Sequence, residues 1–285
     1  MIIKSLTGVG IDEIHHAFKE AFCDYAEPFS LSRDQLNQMI TRRGYQAELS
    51  FGAYVEDKIV GFTLNGSGIW NNQQTAYDTG TGVVKSYRQQ GVASRIFEAS
   101  LPVLSEHGIS QYLLEVIKVN TKAIDLYKKM GFEITREFDY WASPVEQLQG
   151  HSISMDAGFS VVTVNNPNWN QYQEFWDFQP SWQNSVDSIT RKLNRFLCLE
   201  VLEKDRVVAY GFMEQGTGDL PQLAVHPDYR RKGLGTELVN CLLGAAKPEQ
   251  LKVINTSTES LPMKSFLQYL GLNPGYGQFE MIREL

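Results

Sequence analysis

The amino-acid sequence predicts two tandem α/β domains, each with a mixed β-sheet flanked by helices, and three observations favour this fold class. Residues 87–104 (YRQQGVASRIFEASLPVL) are similar to residues 229–246 (YRRKGLGTELVNCLLGAA), which lie half a chain length further on. The same order of strand and helix signals surrounds both segments, as in an internal duplication. The length of 285 residues also suits two domains of ordinary size.

In the first half, alternating apolar and β-branched residues predict strands at residues 2–6, 51–55, 59–64 and 112–116, with one more that ends at 82–84. Apolar residues at helical spacing predict helices at residues 11–22, 32–43 and 120–130, and one that begins near Gly91. We expect Asp57 in a hairpin turn and Gly131 at the end of the last helix.

The second half repeats this order of elements. A strand at residues 160–164 precedes helices rich in tryptophan, and a hairpin at residues 196–213 turns at Lys204 and Asp205. A strand at 222–225, a helix, a further strand and a helix that ends at Gly271 follow. The polar residues 143–154 show no clear period and are the predicted linker, so the predicted domains are residues 1–142 and 155–285.

The composition is that of an ordinary globular chain, with 42% hydrophobic and 21% charged residues. Acidic residues (33) outnumber basic ones (26), which gives a net charge of −7. This balance argues against a nucleic-acid-binding protein. The sequence therefore predicts a chain that can bury a sizeable core.

The three cysteines, Cys23, Cys198 and Cys241, form no CxxC pair and show no metal-ligand spacing. The N-terminus has no signal-peptide pattern, and no stretch of about 18 apolar residues occurs. We expect a cytoplasmic protein that binds no metal, no nucleic acid and no membrane.

Each half contains a turn of the form Arg-x-x-Gly-x-(Gly or Ala), at residues 88–93 and 230–235, between a strand and a helix. Small residues allow a ligand to approach the backbone, and a helix N-terminus offers free N–H groups and a positive dipole end. The turns lack both the Gly-Lys-(Ser/Thr) of a triphosphate loop and the three glycines of a dinucleotide loop. A single such turn could simply cap a helix, but two copies in matched contexts favour a pyrophosphate cradle.

On these loops the sequence resembles the GNAT acetyltransferase family, in tandem duplicate, over nearly the whole chain. The resemblance implies that each domain has a mixed, mostly antiparallel sheet flanked by helices and binds acyl-CoA. The loop and the following helix would hold the CoA pyrophosphate, and the preceding strand would pair with the pantetheine arm. The implied contacts in the two halves are Val83, Val84, Arg88, Gln89, Gln90, Gly91, Val92, Ala93, Ser94 and Asn120, then Val225, Arg230, Arg231, Lys232, Gly233, Leu234, Gly235 and Thr236.

The first half carries a more specific match, in which Leu114-Glu115-Val116 is followed by Asn120-x-x-Ala-Ile-x-Leu-Tyr127-x-x-x-Gly131-Phe132. It resembles the part of the family that includes ribosomal-protein N-terminal acetyltransferases. That resemblance implies that Glu115 is the base, directly or through water, and that Tyr127 protonates the departing CoA thiolate. Both transfers are needed, because an ammonium must lose a proton before it attacks and the sulfur must be neutralised. Tyr127 could also be an ordinary core aromatic, and Asn120 is most simply a helix N-cap.

The second half departs from this pattern. If Gly271 is aligned with Gly131, Leu267 stands at the position of Tyr127, Asn255 at that of Glu115 and Ser260 at that of Asn120. Both proton-transfer groups are absent, although the loop is intact. We expect the first half to be catalytic. The second half binds CoA, uses other residues such as Tyr269, or acts as a structural partner.

The resulting hypothesis is an acetyl-CoA-dependent N-acetyltransferase that transfers the acetyl group directly to a primary amine in a ternary complex. The alternative is a non-catalytic acyl-CoA sensor or interaction module. The acceptor could be a protein N-terminus, a lysine or a small amine such as an aminoglycoside, polyamine or amino acid, and the chain could be a monomer or a dimer. Asp78, on the strand that enters the first cleft, either receives a cationic amine or faces solvent.

Overall fold

The computed structural model describes residues 1–24, 31–149 and 158–285. The chain forms two compact units. The first contains Met1–Val116, Asn120–Thr135 and Phe279–Leu285, and the second contains Ile117–Val119 and Arg136–Gln278. Each unit combines mostly antiparallel strands with packed helices, which confirms the predicted fold class.

The first unit consists of the following elements in chain order: β1 (Ile2–Ser5), α1 (Ile11–Phe22), α2 (Arg33–Arg42), β2 (Phe51–Val55), β3 (Lys58–Trp70), β4 (Gln73–Val83), α3 (Val92–Glu106), β5 (Gln111–Ile117), α4 (Thr121–Lys129) and the start of β6 (Glu133–Pro144). These bounds agree closely with the predicted helices. The strands β3 and β4 are longer than predicted, because Asn71 and Asn72 adopt left-handed backbone conformations that close a second tight hairpin turn. The predicted turn at Asp57 is confirmed.

The second unit continues β6 and adds these elements: β7 (Phe159–Thr163), α5 (Trp169–Gln173), α6 (Val186–Thr190), β8 (Phe196–Glu203), β9 (Arg206–Glu214), β10 (Gln222–Val225), α7 (Leu234–Ala246), β11 (Gln250–Ser257), α8 (Leu261–Tyr269) and β12 (Asn273–Pro274). The predicted tryptophan-rich helices are only short pieces, and Trp176 lies outside them. A segment with proline, serine and asparagine interrupts them, and these residues favour turns over helix. Gly271 ends α8 in a left-handed conformation, as predicted.

The last strand, β13 (Gln278–Glu284), belongs almost wholly to the first unit. It lies between β5 and the start of β6, and the side chain of Met281 is buried in the core that contains Leu114 and Tyr127. The predicted boundary at residues 155–285 therefore differs from the compact units. An apolar strand pattern shows that a strand forms, but not which sheet it joins.

The segment predicted as a linker is partly structured. Residues 143 and 144 complete β6, and Val145–Gln147 forms a short 3₁₀ helix. The backbone N–H of Val145 donates to the carbonyl of Glu249, so this part is anchored to the second unit. Residues 150–154 of the predicted linker lie outside the described residues.

Two pairs of strands run in parallel and then separate, one pair in each unit. In the first unit β4 and β5 pair from Thr75 with Gln111 to Asp78 with Leu114, after which β4 pairs only with β3 among the described strands. In the second unit the chain before β10 forms a parallel bridge between Asp219 and Lys252, and β10 then pairs only with β9 among the described strands. Each divergence leaves a gap between the two strands, and the Arg-x-x-Gly turn begins five residues after the first of them ends.

No helix within the described ranges is both long enough and apolar enough to span a membrane.

Candidate active site

Both predicted turns have the backbone geometry of an anion cradle. Gln89 and Gly91 in the first unit, and Arg231 and Gly233 in the second, adopt positive φ angles between 60° and 81°. The two glycines are the N-caps of α3 and α7, and neither cap position has a side-chain hydrogen bond. The first N–H groups of two long helices are therefore free of side-chain caps, as a bound pyrophosphate requires.

The first arginine of each turn has the same structural role in both units. The Nε atom of Arg88 donates to the carbonyl of Val83 (2.9 Å), and its terminal nitrogens donate to Asp24 and to the carbonyl of Ala21. The hydrogen bond from Arg88 to Asp24 and the positive charge of the guanidinium group hold the pKa of Asp24 below its usual value. Burial has the opposite effect. The guanidinium thus ties the turn to the end of α1.

Arg230 repeats these three contacts in the second unit. It donates to the carbonyls of Val225 (3.0 Å) and Phe175 (3.1 Å) and to Asp177 (2.7 Å). Both guanidinium groups, which the resemblance implies as CoA contacts, are paired with an aspartate. Their geometry instead fixes the conformation of the turn.

We expect Arg230→Ala to lower the free energy of unfolding by about 2 kcal/mol, because three hydrogen bonds contribute roughly 0.5–1.5 kcal/mol each. Chemical denaturation monitored by tryptophan fluorescence measures this loss. Lys264→Ala, which removes an exposed cation from α8, is the matched control. An unchanged unfolding midpoint for Arg230→Ala would show that the contacts do not stabilise the turn.

The two turns differ in the charge of their middle residues. Gln89 and Gln90 in the first unit are replaced by Arg231 and Lys232 in the second. The Nζ atom of Lys232 lies 4.6 Å from the centre of the Tyr229 ring. The second turn therefore presents more positive charge to an anionic ligand than the first.

A cleft of about 780 Å³ lies in the second unit between the diverging strands β10 and β11. The turn that contains Gly233 and the N-terminal end of α7 form one wall, and α8 forms another. The predicted contact residues Val225, Arg230, Arg231, Gly233, Leu234, Gly235 and Thr236 all line this cleft. The structure therefore brings together seven of the eight predicted residues of the second half around one cleft. The eighth, Lys232, is not among the residues that line it.

Neutral side chains form a hydrogen-bonded network along this cleft. Trp176 donates to the hydroxyl of Tyr210, which donates to Gln222 (2.9 Å). Gln222 in turn donates to the carbonyl of Asn184 (2.7 Å). Burial raises the pKa of the Tyr210 hydroxyl. The hydroxyl proton of this tyrosine is directed at Gln222.

The three residues that replace the motif of the first half do not restore a proton-transfer group. Leu267 is fully buried in the apolar core of the second unit. The side chain of Asn255 donates to the hydroxyl of Ser181 (3.0 Å), and Ser260 precedes α8 without a side-chain cap. The alternative residue, Tyr269, lines the cleft and is 44% exposed.

In the first unit the predicted catalytic pair is divided between two faces of the sheet. Tyr77 donates a hydrogen bond to Glu115 (3.2 Å), whereas the hydroxyl of Tyr127 lies 3.5 Å from the carboxylate of Asp78. Successive strand residues point to opposite faces, so Tyr77 and Asp78 face opposite sides, as do Leu114 and Glu115. Leu114 shares a core cluster with Tyr127. Glu115 therefore lies on the face opposite α4.

Asp78 is a site residue that was not predicted with a definite role. It is 6% exposed, so the alternative that it faces solvent is wrong. Burial raises the pKa of this carboxyl to about 6, and the hydrogen bond from Thr81 (2.8 Å) is the main opposing effect. A signal was present in the sequence, since Asp78 interrupts an otherwise uncharged strand.

The remaining predicted residues of the first half lie in or next to β4, α3 and α4. The side chain of Asn120 accepts a hydrogen bond from the backbone N–H of Ala123, so this residue is the N-cap of α4. Val83 ends β4, and Val84 precedes a short 3₁₀ helix. Val92, Ala93 and Ser94 form the first turn of α3.

The comparisons with known proteins show the family to which the chain belongs. The family model described as Acetyltransferase (GNAT) family matches residues 11–132 and 163–271. Together these two regions cover most of the chain, one in each half. The chain belongs to the GNAT acetyltransferase family and contains two copies of its domain.

Among named relatives, N-alpha-acetyltransferase 30 of Schizosaccharomyces pombe is 30% identical over 86 residues, which are 30% of this chain and 57% of the relative. Thialysine N-epsilon-acetyltransferase of Sus scrofa is 39% identical over 61 residues, which are 21% of this chain and 36% of the relative. The chain thus spans about half of the first relative and about a third of the second.

Two solved structures have a similar fold over nearly the whole chain. A tandem GNAT protein from the clavulanic acid biosynthesis pathway has a TM-score of 0.75 at 12% identity, with coverage of 99% of this chain and 98% of that chain. A GCN5-related N-acetyltransferase from Sphaerobacter thermophilus has a TM-score of 0.71 at 14% identity and covers 99% and 95%. At these identities the similarity shows the fold.

Proposed function

We propose that the chain is an acetyl-CoA-dependent N-acetyltransferase that transfers the acetyl group directly to a primary amine, with its catalytic centre in the first unit. The observation that carries the proposal is the position of Asp78 at the point where β4 and β5 separate, within reach of Tyr127. Glu115 lies on the neighbouring strand, on the other face of the sheet. The turn at residues 88–94 follows soon after the end of β4 at Val83.

The reaction requires two proton movements, and the first unit has groups for both. An ammonium acceptor has to lose a proton before its nitrogen can attack the thioester, and Glu115 is the proposed acceptor of that proton. The departing sulfur takes the hydroxyl proton of Tyr127. Backbone N–H groups at the N-terminus of α3 hold the pyrophosphate and thereby position the thioester.

The acceptor is proposed to be a primary amine. Two named relatives are an N-alpha-acetyltransferase and a thialysine N-epsilon-acetyltransferase, and both names refer to an amino nitrogen. The buried carboxylate of Asp78 and the half-buried carboxylate of Glu115 suit a cationic group, and the negative net charge of the chain favours a basic acceptor. A peptide with a free N-terminus, lysine, thialysine and a polyamine are therefore the first acceptors to test.

A binding role is favoured for the second unit. Its cleft carries the complete phosphate turn, while neutral side chains take the places of the proton-transfer groups. In this unit CoA is proposed to bind without transfer. If the first unit were also inactive, the whole chain would be an acyl-CoA sensor, which is the second candidate function.

Two variants separate the contributions of the turns. We expect Gly91→Glu to abolish one acetyl-CoA site and all turnover, and Gly233→Glu to abolish the other site. In each variant the new carboxylate repels the phosphates and occupies the cradle. Calorimetric titration with acetyl-CoA counts the sites, and release of free CoA across the amine panel measures turnover.

Each variant has a control with the same change in charge and backbone strain. Gly108 has a φ of +75° and Gly216 a φ of +88°, and an added Cβ at either position meets no atom within 4 Å. Gly108→Glu and Gly216→Glu should keep both sites. Binding without turnover by any amine would support the sensor, and loss of turnover only in Gly233→Glu would place catalysis in the second unit.

Glu115→Gln should reduce the rate most at low pH, where the acceptor amine is protonated and depends on a base. At high pH, where more of the amine is already neutral, the deficit should shrink. The ratio of wild-type to variant kcat/KM between pH 6 and pH 10 tests this expectation. A constant ratio would remove Glu115 from the role of base.

A further inference from the structure

We propose that Asp78 and Tyr127 form a proton relay that carries a proton from the acceptor nitrogen to the CoA sulfur. The inference rests on the proposed function and adds a residue to it. Asp78 and Leu114 are the last paired residues before β4 and β5 diverge. Asp78 therefore lies at the point beyond which the two strands no longer bond to each other, and its carboxylate faces Tyr127.

One oxygen of Asp78 is held in place while the other is left without a protein partner. Oδ2 accepts a hydrogen bond from Thr81 (2.8 Å), whose hydroxyl also contacts Thr63, and lies 3.5 Å from the hydroxyl of Tyr127. Oδ1 is buried and has no hydrogen-bond partner within residues 1–24, 31–149 and 158–285. A buried carboxylate oxygen without a donor is costly, and such atoms are expected where a ligand supplies the donor.

A relay of this kind closes the proton balance. An ammonium loses two protons when it becomes an amide, and the sulfur gains one. The first proton leaves through Glu115 to solvent before the attack. After the C–N bond forms, Asp78 takes the second proton from nitrogen. As the C–S bond breaks, Tyr127 gives its hydroxyl proton to sulfur and receives the proton of Asp78. Both residues end the cycle as they began.

The separation of 3.5 Å is at the long end of hydrogen-bond geometry. Catalytic hydrogen bonds are often long without ligands and shorten in the reactive complex. Tyr127 packs edge to face against Phe97 and Phe132, with ring centres 5.9 Å and 5.7 Å away. These contacts hold the ring beside Asp78.

The surroundings of Asp78 suit a group that changes protonation during turnover. Burial raises the pKa of its carboxyl to about 6, near the range in which a group can both accept and return a proton. The charged or titratable groups that influence it are Arg43, Tyr77, Tyr112 and Tyr127. Arg43 donates to the carbonyl of Thr79 (3.0 Å). Its charge lowers the pKa of Asp78, but this effect is smaller than the opposite effect of burial.

The kinetic test uses the full chain, acetyl-CoA and the amine of the panel with the highest turnover. Wild-type kcat should rise with pH through an apparent pKa near 6. Asp78→Asn should lower kcat by about 10²–10⁴-fold and remove this rise, the acidic limb of the pH profile. The KM for acetyl-CoA should stay within about twofold of the wild-type value. Retention of the limb, or of more than half of kcat, would overturn the relay.

A second variant keeps the carboxylate and changes only its environment. Thr81→Val removes a hydrogen bond that stabilises the charged form of Asp78, so the limb should move to higher pH without loss of the maximal rate. Thr79→Val makes the same change in a buried threonine of the same strand and should leave the limb in place. A limb that does not move in Thr81→Val would assign it to another group.

A spectroscopic readout does not depend on the acceptor. In the full chain labelled with ¹³C at the aspartate carboxyl carbon, the signal missing from Asp78→Asn identifies Asp78. It should titrate near pH 6 in the wild type and at higher pH in Tyr127→Phe, since the tyrosine hydroxyl stabilises the carboxylate. If the midpoint does not respond to Tyr127→Phe in a chain that turns over, the relay alone fails. If the midpoint responds but no amine turns over, the proposed function fails and the relay has no reaction to serve.

Discussion

Tyr127→Phe is expected to lower kcat by about 10²–10⁴-fold, because the CoA thiolate then leaves without a proton donor. The affinity for acetyl-CoA should change little, since the turn at residues 88–94 and α3 are proposed to hold the phosphates. Free CoA released with the best amine of the panel measures kcat, and calorimetry measures the affinity. The two measurements together separate chemistry from binding.

Tyr54→Phe is the matched control for this variant. Tyr54 is also a largely buried tyrosine of the first unit, but it belongs to the core cluster formed with α1 and α2. Its kcat should equal that of the wild type. Normal turnover in Tyr127→Phe would remove this residue from the acid role, and loss of turnover in Tyr269→Phe instead would place the reaction in the second unit.

Asp78→Asn is expected to stabilise the fold at pH 8 while it lowers activity. The pKa of this buried carboxyl is about 6, compared with 3.8 for an ordinary aspartate. Between these values the folded chain binds more protons than the unfolded chain, so stability falls as the pH rises through this window. Well above pH 6 the buried charge lowers the free energy of unfolding by about 3 kcal/mol, because a shift of one pKa unit corresponds to about 1.36 kcal/mol.

The free energy of unfolding of Asp78→Asn should therefore exceed that of the wild type by up to about 3 kcal/mol at pH 8 and by little at pH 4. Urea denaturation at the two pH values measures both differences. Asp125→Asn, in an exposed aspartate of α4, should show no such dependence. A loss of stability at pH 8 would indicate that Asp78 is a structural residue, whereas the expected gain is typical of a group kept for function.

Several features of the site were predictable because their signals lie close together in the sequence. The two Arg-x-x-Gly turns, their glycine caps and the following helices are each contained within about 20 residues. The N-cap at Asn120 and the end of α4 at Gly131 are equally local. The duplication was visible because both copies kept these segments.

Other features depend on contacts between distant residues. The partners of Glu115 and Tyr127 are Tyr77 and Asp78, and the parallel register of β4 with β5 decides that the two pairs lie on opposite faces. The guanidinium groups of Arg88 and Arg230 bind aspartates more than 50 residues away. Such pairings cannot be derived from the period of a single strand or helix.

The sequence by itself determined the tandem α/β architecture, the family, both Arg-x-x-Gly turns and the absence of the Glu115 and Tyr127 equivalents from the second half. Only the tertiary structure assigned β13 to the first unit, located the cleft of the second unit and placed Asp78 beside Tyr127. The physical reason is that local periodicity and turn chemistry determine which elements form. Packing between elements then decides which side chains meet, how deeply a carboxylate is buried and which strands separate.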